Sequence, residues 1–478
     1  MKRKSGILMH ITSLPSDYGI GSLGKTAYDF VDFLERAGQK VWQILPINYT
    51  LESENFSPYK STSPFSSNYD LIDLEILKSE GFIDEIDIPF QEFDDRYVNY
   101  PEVRKNKNRI LKEAFKRYDL IPKDEIKKFL SVNSYWINDY VTFMALYEKN
   151  NFEDFDKWKI FERSEYTEKF YIFLEYIFHK QWKNLKKYAN SKGVEIFGDI
   201  PIYISENSSD FYFKRNLFLV DENKNPKMIA GVPPDNFSED GQVWGNPLYN
   251  WDEMKKDDYK WWFERIKHSF IFFDIVRIDH FRAFDKYYAI DKKTMDAKNG
   301  KWFDGPGKIF FDKLKDKFGN LKIVVEDLGI ITESTKKLVE YTGYPNMKIL
   351  QFAFDNDATN EHLPHNYKNN CVCYTGTHDN KTVKQWLETE PNYKIDYAKK
   401  YLKLDSYNIY SQGFIDAALS SVSFISIIPI QDWMDYGAFA RLNEPGNVNG
   451  AWKFRLKKFE FNDWLADIIK EKTKFYGR

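Results

Sequence analysis

Apolar residues in this chain recur as short runs separated by longer helical stripes, and that rhythm repeats almost from end to end. Ile7-Leu8-Met9-His10-Ile11 reads as a strand, and Ala27, Phe30, Val31 and Leu34 then share one helical face that stops at Gly38. Val41 to Pro46 is a second strand, so the opening is a strand, helix, strand unit of the kind that builds parallel sheets. From about Leu71 to Lys192 the alternation lapses into charged helical segments, which we read as an insertion between the second and third strands. Its last helix carries Phe170, Phe173, Leu174, Ile177 and Phe178 on one stripe and stops near Gly193. The rhythm resumes at Val194 to Pro201. Ala230 to Pro247, with adjacent prolines, glycines and aromatics, reads as a shaped loop.

The second half continues in the same way. Phe272 to Ile278 places apolar residues on both parities of the pleat, as a strand buried on both faces does. Further strands are expected at Lys322 to Asp327, Met347 to Phe354, Cys371 to Asp379 and Phe424 to Ile430. Strands near residues 8, 43, 197, 276, 324, 350, 373 and 427 make about eight, the number that closes a (β/α)8 barrel. The expected fold is therefore α/β, a single (β/α)8 TIM barrel over residues 1–478, with inserted subdomains of which 71–192 is the largest.

Charge enters where the strands end. Arg277 and Asp279 are two apart and project to one face, while Val276 and Ile278 point the other way. A guanidinium beside a carboxyl favours the ionised form, which suits a nucleophile, although a structural ion pair has the same signature. Asp199, Glu326 and Asp379 also fall at carboxyl ends of expected strands, the face on which such barrels carry their chemistry. Acids around one mouth, without metal-ligand spacing or a glycine-rich phosphate loop, point to glycoside chemistry, which needs one carboxyl at the anomeric carbon and another to move a proton. Magnesium or calcium binding is the competing use of such a cluster.

Composition narrows the setting. Hydrophobic residues are 42%, charged residues 29% and the net charge is −3, which leaves no electrostatic footprint for nucleic acid. Cys371 and Cys373 are the only cysteines and suggest neither a disulfide framework nor a zinc site. The basic start Met1-Lys2-Arg3-Lys4 is followed by an apolar stretch broken at His10, Thr12 and Ser13, so no export signal follows, and no run approaches membrane-spanning length. The expected location is cytoplasmic, with no membrane partner. Aromatics at 18% could supply platforms for ligand rings, though most are expected in the core.

A series of ordered motifs carries a resemblance. It runs from His10-Ile11-Thr12-Ser13-Leu14-Pro15 through Trp42-Gln43-Ile44-Leu45-Pro46, Ser57-Pro58-Tyr59, Gly198-Asp199-Ile200-Pro201 and Trp244-Gly245-Asn246-Pro247. It continues through Arg277-Ile278-Asp279-His280-Phe281-Arg282, Glu326-Asp327-Leu328-Gly329, Gly376-Thr377-His378-Asp379-Asn380 and Pro429-Ile430-Gln431-Asp432. Over nearly its whole length the chain resembles the 4-α-glucanotransferases called amylomaltase or disproportionating enzyme, of the α-amylase clan. The resemblance implies a retaining enzyme without cofactor or metal that moves α-1,4-glucan segments between maltooligosaccharide donors and acceptors. It implies that Asp279 is the nucleophile, Glu326 the general acid and base, and Asp379 the carboxylate that stabilises the transition state. By the same likeness Tyr59, Asp199, Trp244, Arg277, His280 and His378 bind substrate, and the loop within 230–250 covers the acceptor side. Asn236, Ala283 and Lys381 depart from the family pattern without removing a catalytic group. A hydrolase of the same clan, a glucan-binding protein and a metal enzyme are the alternatives; the binder is disfavoured by the complete set of acids.

Overall fold

In the computed structural model, described over residues 3–86, 95–234, 239–329, 331–446 and 450–478, the chain forms twelve strands among the described residues. They are β1 (Lys4–Leu8), β2 (Val41–Gln43), β3 (Glu195–Ile200), β4 (Met228–Val232), β5 (Gln242–Pro247) and β6 (Ile275–Ile278). The rest are β7 (Lys286–Asp291), β8 (Lys301–Asp304), β9 (Ile323–Val325), β10 (Asn346–Ile349), β11 (Cys371–Tyr374) and β12 (Ile425–Pro429). Eight of them, β1, β2, β3, β6, β9, β10, β11 and β12, close in that order into a parallel barrel, with β12 pairing back onto β1. This is the (β/α)8 barrel expected from the strand rhythm.

The pleat explains why the barrel is stable. One parity, with Leu8, Val41, Phe197, Ile275, Val324, Val372 and Ile425, fills the barrel axis. The other, with Ile7, Ile196, Val276, Ile278, Ile323 and Val325, packs outward against the helices. Each strand is thus apolar on both faces, as a closed parallel sheet covered by helices requires. Gly198 is needed for a packing reason: a Cβ there would lie 2.2 Å from the Phe273 ring.

The segment between β2 and β3 carries several helices, including Tyr100–Phe115, Ile137–Lys149 and the long Glu165–Ser191. The last starts at a Ser164 cap and is followed by Gly193 at φ +71°, a left-handed position that suits glycine. Its Trp182 donates to Phe272 O at 3.0 Å, tying it to the entry of β6.

Most expected strands are shorter in the structure, and the first is displaced rather than shortened. The first lies at Lys4–Leu8 and gives way to a 3₁₀ turn at Ile11–Ser13. That at Met347 ends at Ile349, where Leu350–Phe352 turns, and that at Cys371 ends at Tyr374. Leu350 and Thr375 remain buried after the ladder stops, so burial extends the apolar pattern past the hydrogen bonds. Where a loop was expected from glycines and prolines, the described residues on either side of 235–238 form strands. These are β4 and β5, which belong to a second, antiparallel sheet of order β5-β4-β7-β8. Asn236, singled out in the sequence, lies outside the described residues, as does Phe237 beside it. Asp274, an acid at the start of a buried strand, caps the amino end of the barrel: it accepts from Ile196 N at 2.9 Å and Asn190 Nδ2 at 2.8 Å, with Lys186 3.4 Å away.

Candidate active site

The inward parity that is apolar at the bottom of the barrel becomes charged at the top. Asp199 on β3 sits in register with Arg277 on β6. Arg277 is 4% exposed and is surrounded by acceptors. Its Nη1 donates to both oxygens of Asp199 at 2.8 and 2.7 Å, its Nη2 meets Asp279 Oδ1 at 2.8 Å, and its Nε lies 3.4 Å from Met347 Sδ. The ladder continues past the strands, with Asp279 N donating to Ile200 O and Glu326 N to Ile278 O, each at 3.0 Å. Both carboxyls are therefore carried on backbone held by neighbouring strands.

His280 has φ +46° and ψ +50°, a conformation that side-chain-bearing residues adopt at a cost of about 1 kcal/mol or more. The turn it makes aims its backbone N–H at Glu326 Oε2, 2.6 Å away, while Leu328 N donates to Glu326 Oε1 at 2.9 Å. The His280 ring meets the Trp244 indole edge to face, with centroids 4.8 Å apart.

Asp379 arrives from beyond β11. Asn380 Oδ1 closes the turn by accepting from Thr377 N and Oγ1, each at 2.8 Å. Asp432, after β12, spans the same segment, accepting from Thr375 Oγ1 at 2.5 Å and Val383 N at 2.8 Å. Asp379 Oδ2 is 3.2 Å from His378 Nε2, and its Oδ1 accepts from Asn443 Nδ2 at 2.6 Å.

The Tyr59 hydroxyl donates to Asp199 Oδ2 and lies as close to His378 Nε2, both at 2.8 Å. The Tyr59 and His378 rings stack at 5.2 Å. A cleft of about 800 Å³ is lined by Tyr59, Trp244, Arg277, Asp279, His280, Glu326 and Asp379. Asp199 and His378 stand behind that surface, where Asp199 is occupied by Arg277 and Tyr59. The structure thus gathers all nine singled-out residues, seven onto the cleft and two as their supports. Asn443 was missed; it lies in an irregular segment after the last strand, where no periodicity marks it. Lys381 points away to Glu390 at 2.8 Å, so this departure does not enter the cleft.

The three acids differ electrostatically. Burial pushes Glu326 up to about 7; Arg277 and two backbone N–H groups oppose this, and the Asp279 charge adds to it. Burial also raises Asp279, to about 6, with Asp199 and Asp379 adding to it against the pull of Arg277 and His378. The neighbouring guanidinium alone therefore does not keep Asp279 at an ordinary carboxylate value. For Asp379 burial acts upward, but His378, Asn443 and Arg277 outweigh it and hold the group down at about 2. Burial lowers His280 to about 3, so its ring is neutral near pH 7. Among the described residues no group of three or more His, Cys, Asp or Glu side chains is arranged to hold a metal ion.

A (β/α)8 barrel with an acid cluster of this kind at its carboxyl-terminal mouth defines a class, the carbohydrate-active barrel enzymes. A family model described as 4-alpha-glucanotransferase matches residues 9–461. The 4-alpha-glucanotransferase of Clostridium butyricum is 43% identical, covering 98% of this chain and 100% of its own. That of Thermus thermophilus is 36% identical, covering 95% of each. The amylomaltase from Streptococcus agalactiae, solved in complex with acarbose, superposes with a TM-score of 0.95 at 38% identity over 100% of both chains. The chain belongs to the 4-alpha-glucanotransferase family and is an enzyme of that activity. No helix among the described residues is long and apolar enough to cross a membrane.

Proposed function

We propose that the enzyme moves α-1,4-glucan segments between maltooligosaccharides by a retaining, two-step route through a covalent glucosyl ester on Asp279. Glu326, with its proton retained to about pH 7, gives that proton to the departing glycosidic oxygen while an Asp279 oxygen bonds to the anomeric carbon. In the second step the acceptor hydroxyl bonds to the same carbon, its proton passes to Glu326, and Asp279 leaves as carboxylate. Asp379, ionised at any working pH, faces the positive charge that develops on the sugar ring. Arg277 orients Asp279, and Asp199 and His378 act through Arg277, Tyr59 and Asp379. The observation that carries this reading is the buried Arg277 cation set among acids of unlike proton affinity.

Transfer and hydrolysis share the same ester, so the outcome depends on which hydroxyl reaches it first. Water is at about 55 M, and an oriented acceptor can exceed that in effective concentration. Trp244, on β5 at the cleft wall, is placed to hold an acceptor ring and exclude water. A cytoplasmic setting fits the two free, buried thiols Cys371 and Cys373. Incubation with maltotriose tests the function: glucose together with longer oligosaccharides is expected. Rising reducing ends without longer products would favour hydrolysis over transfer.

A further inference from the structure

The segment that carries Tyr59 into the site is a hairpin, and its next residue leaves in another direction. Thr50 bridges Ser61, Leu51 N donates to Lys60 O at 3.2 Å, and Thr62 N donates to Tyr49 O at 3.0 Å. The hairpin is gripped from outside by Arg104 of the helix Tyr100–Phe115. The Arg104 guanidinium lies 4.4 Å from the Tyr49 ring and 4.6 Å from the Phe56 ring, and bonds Thr50 Oγ1 at 2.6 Å and Asp70 Oδ2 at 2.9 Å. A cation held between two rings and two oxygens leaves the hairpin little freedom.

On this rigid piece, Tyr59 reaches toward Asp199 and His378, whereas Lys60 reaches across the cleft wall to β5. The Lys60 ammonium donates to Trp244 O at 2.7 Å and to Asn246 Oδ1 at 3.1 Å, with Glu54 4.0 Å away. Asn246 is itself anchored, donating to Ile204 O at 2.8 Å. Burial holds the ammonium below the usual lysine range despite Glu54 and Glu206. A charge kept there against that cost is tied to these acceptors.

We propose that Lys60 is a positioning residue for the acceptor: by strapping the Trp244 strand to the hairpin that carries Tyr59, it sets how often a sugar hydroxyl rather than water takes the glucan segment. The inference rests on the reading of Trp244 as the acceptor wall. Lys60→Met keeps the stem and removes the ammonium. With maltotriose, the ratio of new oligosaccharide to new reducing ends is expected to fall about five-fold, and the KM for an added maltose acceptor to rise more than kcat falls. Lys60→Arg, which can still donate to Trp244 O, is expected to recover most of the ratio. A residue that only supported the fold would lower melting temperature and total rate together and leave the ratio unchanged, and that result overturns the proposal. Trp244→Ala, measured in parallel, separates the two readings. If it lowers the ratio and Lys60→Met does not, the strap is wrong and the wall stands; if neither does, both are wrong. Should Lys60→Met not fold, Lys60→Gln carries the same prediction, because its amide is polar but too short to reach Trp244 O.

Discussion

At the amino-terminal end of the barrel, Glu195 on β3 lies between Lys4 and Lys322, and Asp274 before β6 is met by two donors and Lys186. The two lysines outweigh burial and hold Glu195 below the usual carboxylate range. At the carboxyl-terminal end of the same strands, Arg277 is shared between Asp199 and Asp279, with Glu326 and Asp379 close enough to be felt. There Asp279 and Glu326 are raised to about 6 and about 7. Both ends place acids on parallel strands, so position alone does not separate a structural carboxylate from a reactive one. The ratio of acid to cation under burial does: satisfied acids hold strands together, and a surplus of buried acids retains a proton that chemistry can use.

Removing one charge from each end tests that contrast. Asp279→Asn is expected to lower transfer about 10⁴-fold with the fold intact, since an amide cannot form the ester. A variant with a tenth of wild-type activity and an unchanged melting temperature would remove Asp279 from the role. Glu195→Gln is the smaller effect, about 1 kcal/mol of stability with turnover unchanged. Its sign follows from the lowered Glu195 value: the stability is present above the unfolded carboxyl value and lost as pH falls through the folded one. Denaturant titration of wild type and variant should thus differ at neutral pH and converge in acid. A loss of turnover with stability intact would mean that the amino-terminal acid also serves the site.

Much of this was legible in the chain because buried strands are simple to read. Ile425-Ser426-Ile427-Ile428-Pro429 is buried at every position, and runs of that kind mark all eight barrel strands. The small sheet was not legible, because Lys301-Trp302-Phe303-Asp304 is exposed throughout and pairs along one edge only, leaving no alternation to read. The parity of β6 places Arg277 and Asp279 on one face from sequence alone, and Glu326 follows from Val324 two positions earlier. What parity cannot supply is which neighbour consumes a side chain. Asp199 was expected at the substrate, and parity gives no hint that its register with Arg277 and the reach of Tyr59 engage its carboxylate. Asn443 reaches Asp379 across a separation of 64 residues, a contact that no local pattern encodes.

The central claim, that the surplus of acids at the mouth leaves Glu326 protonated for the leaving group and Asp279 ionised for attack, is tested most directly by the pH dependence of kcat/KM on two donors. Maltotriose needs a proton on its departing oxygen, whereas α-maltotriosyl fluoride releases fluoride without one. For maltotriose the rate should fall below about pH 6 as Asp279 takes up a proton, and above about pH 7 as Glu326 loses its own. For the fluoride the acid limb should remain and the alkaline limb should vanish. An alkaline limb of equal position and depth on both donors would contradict the account.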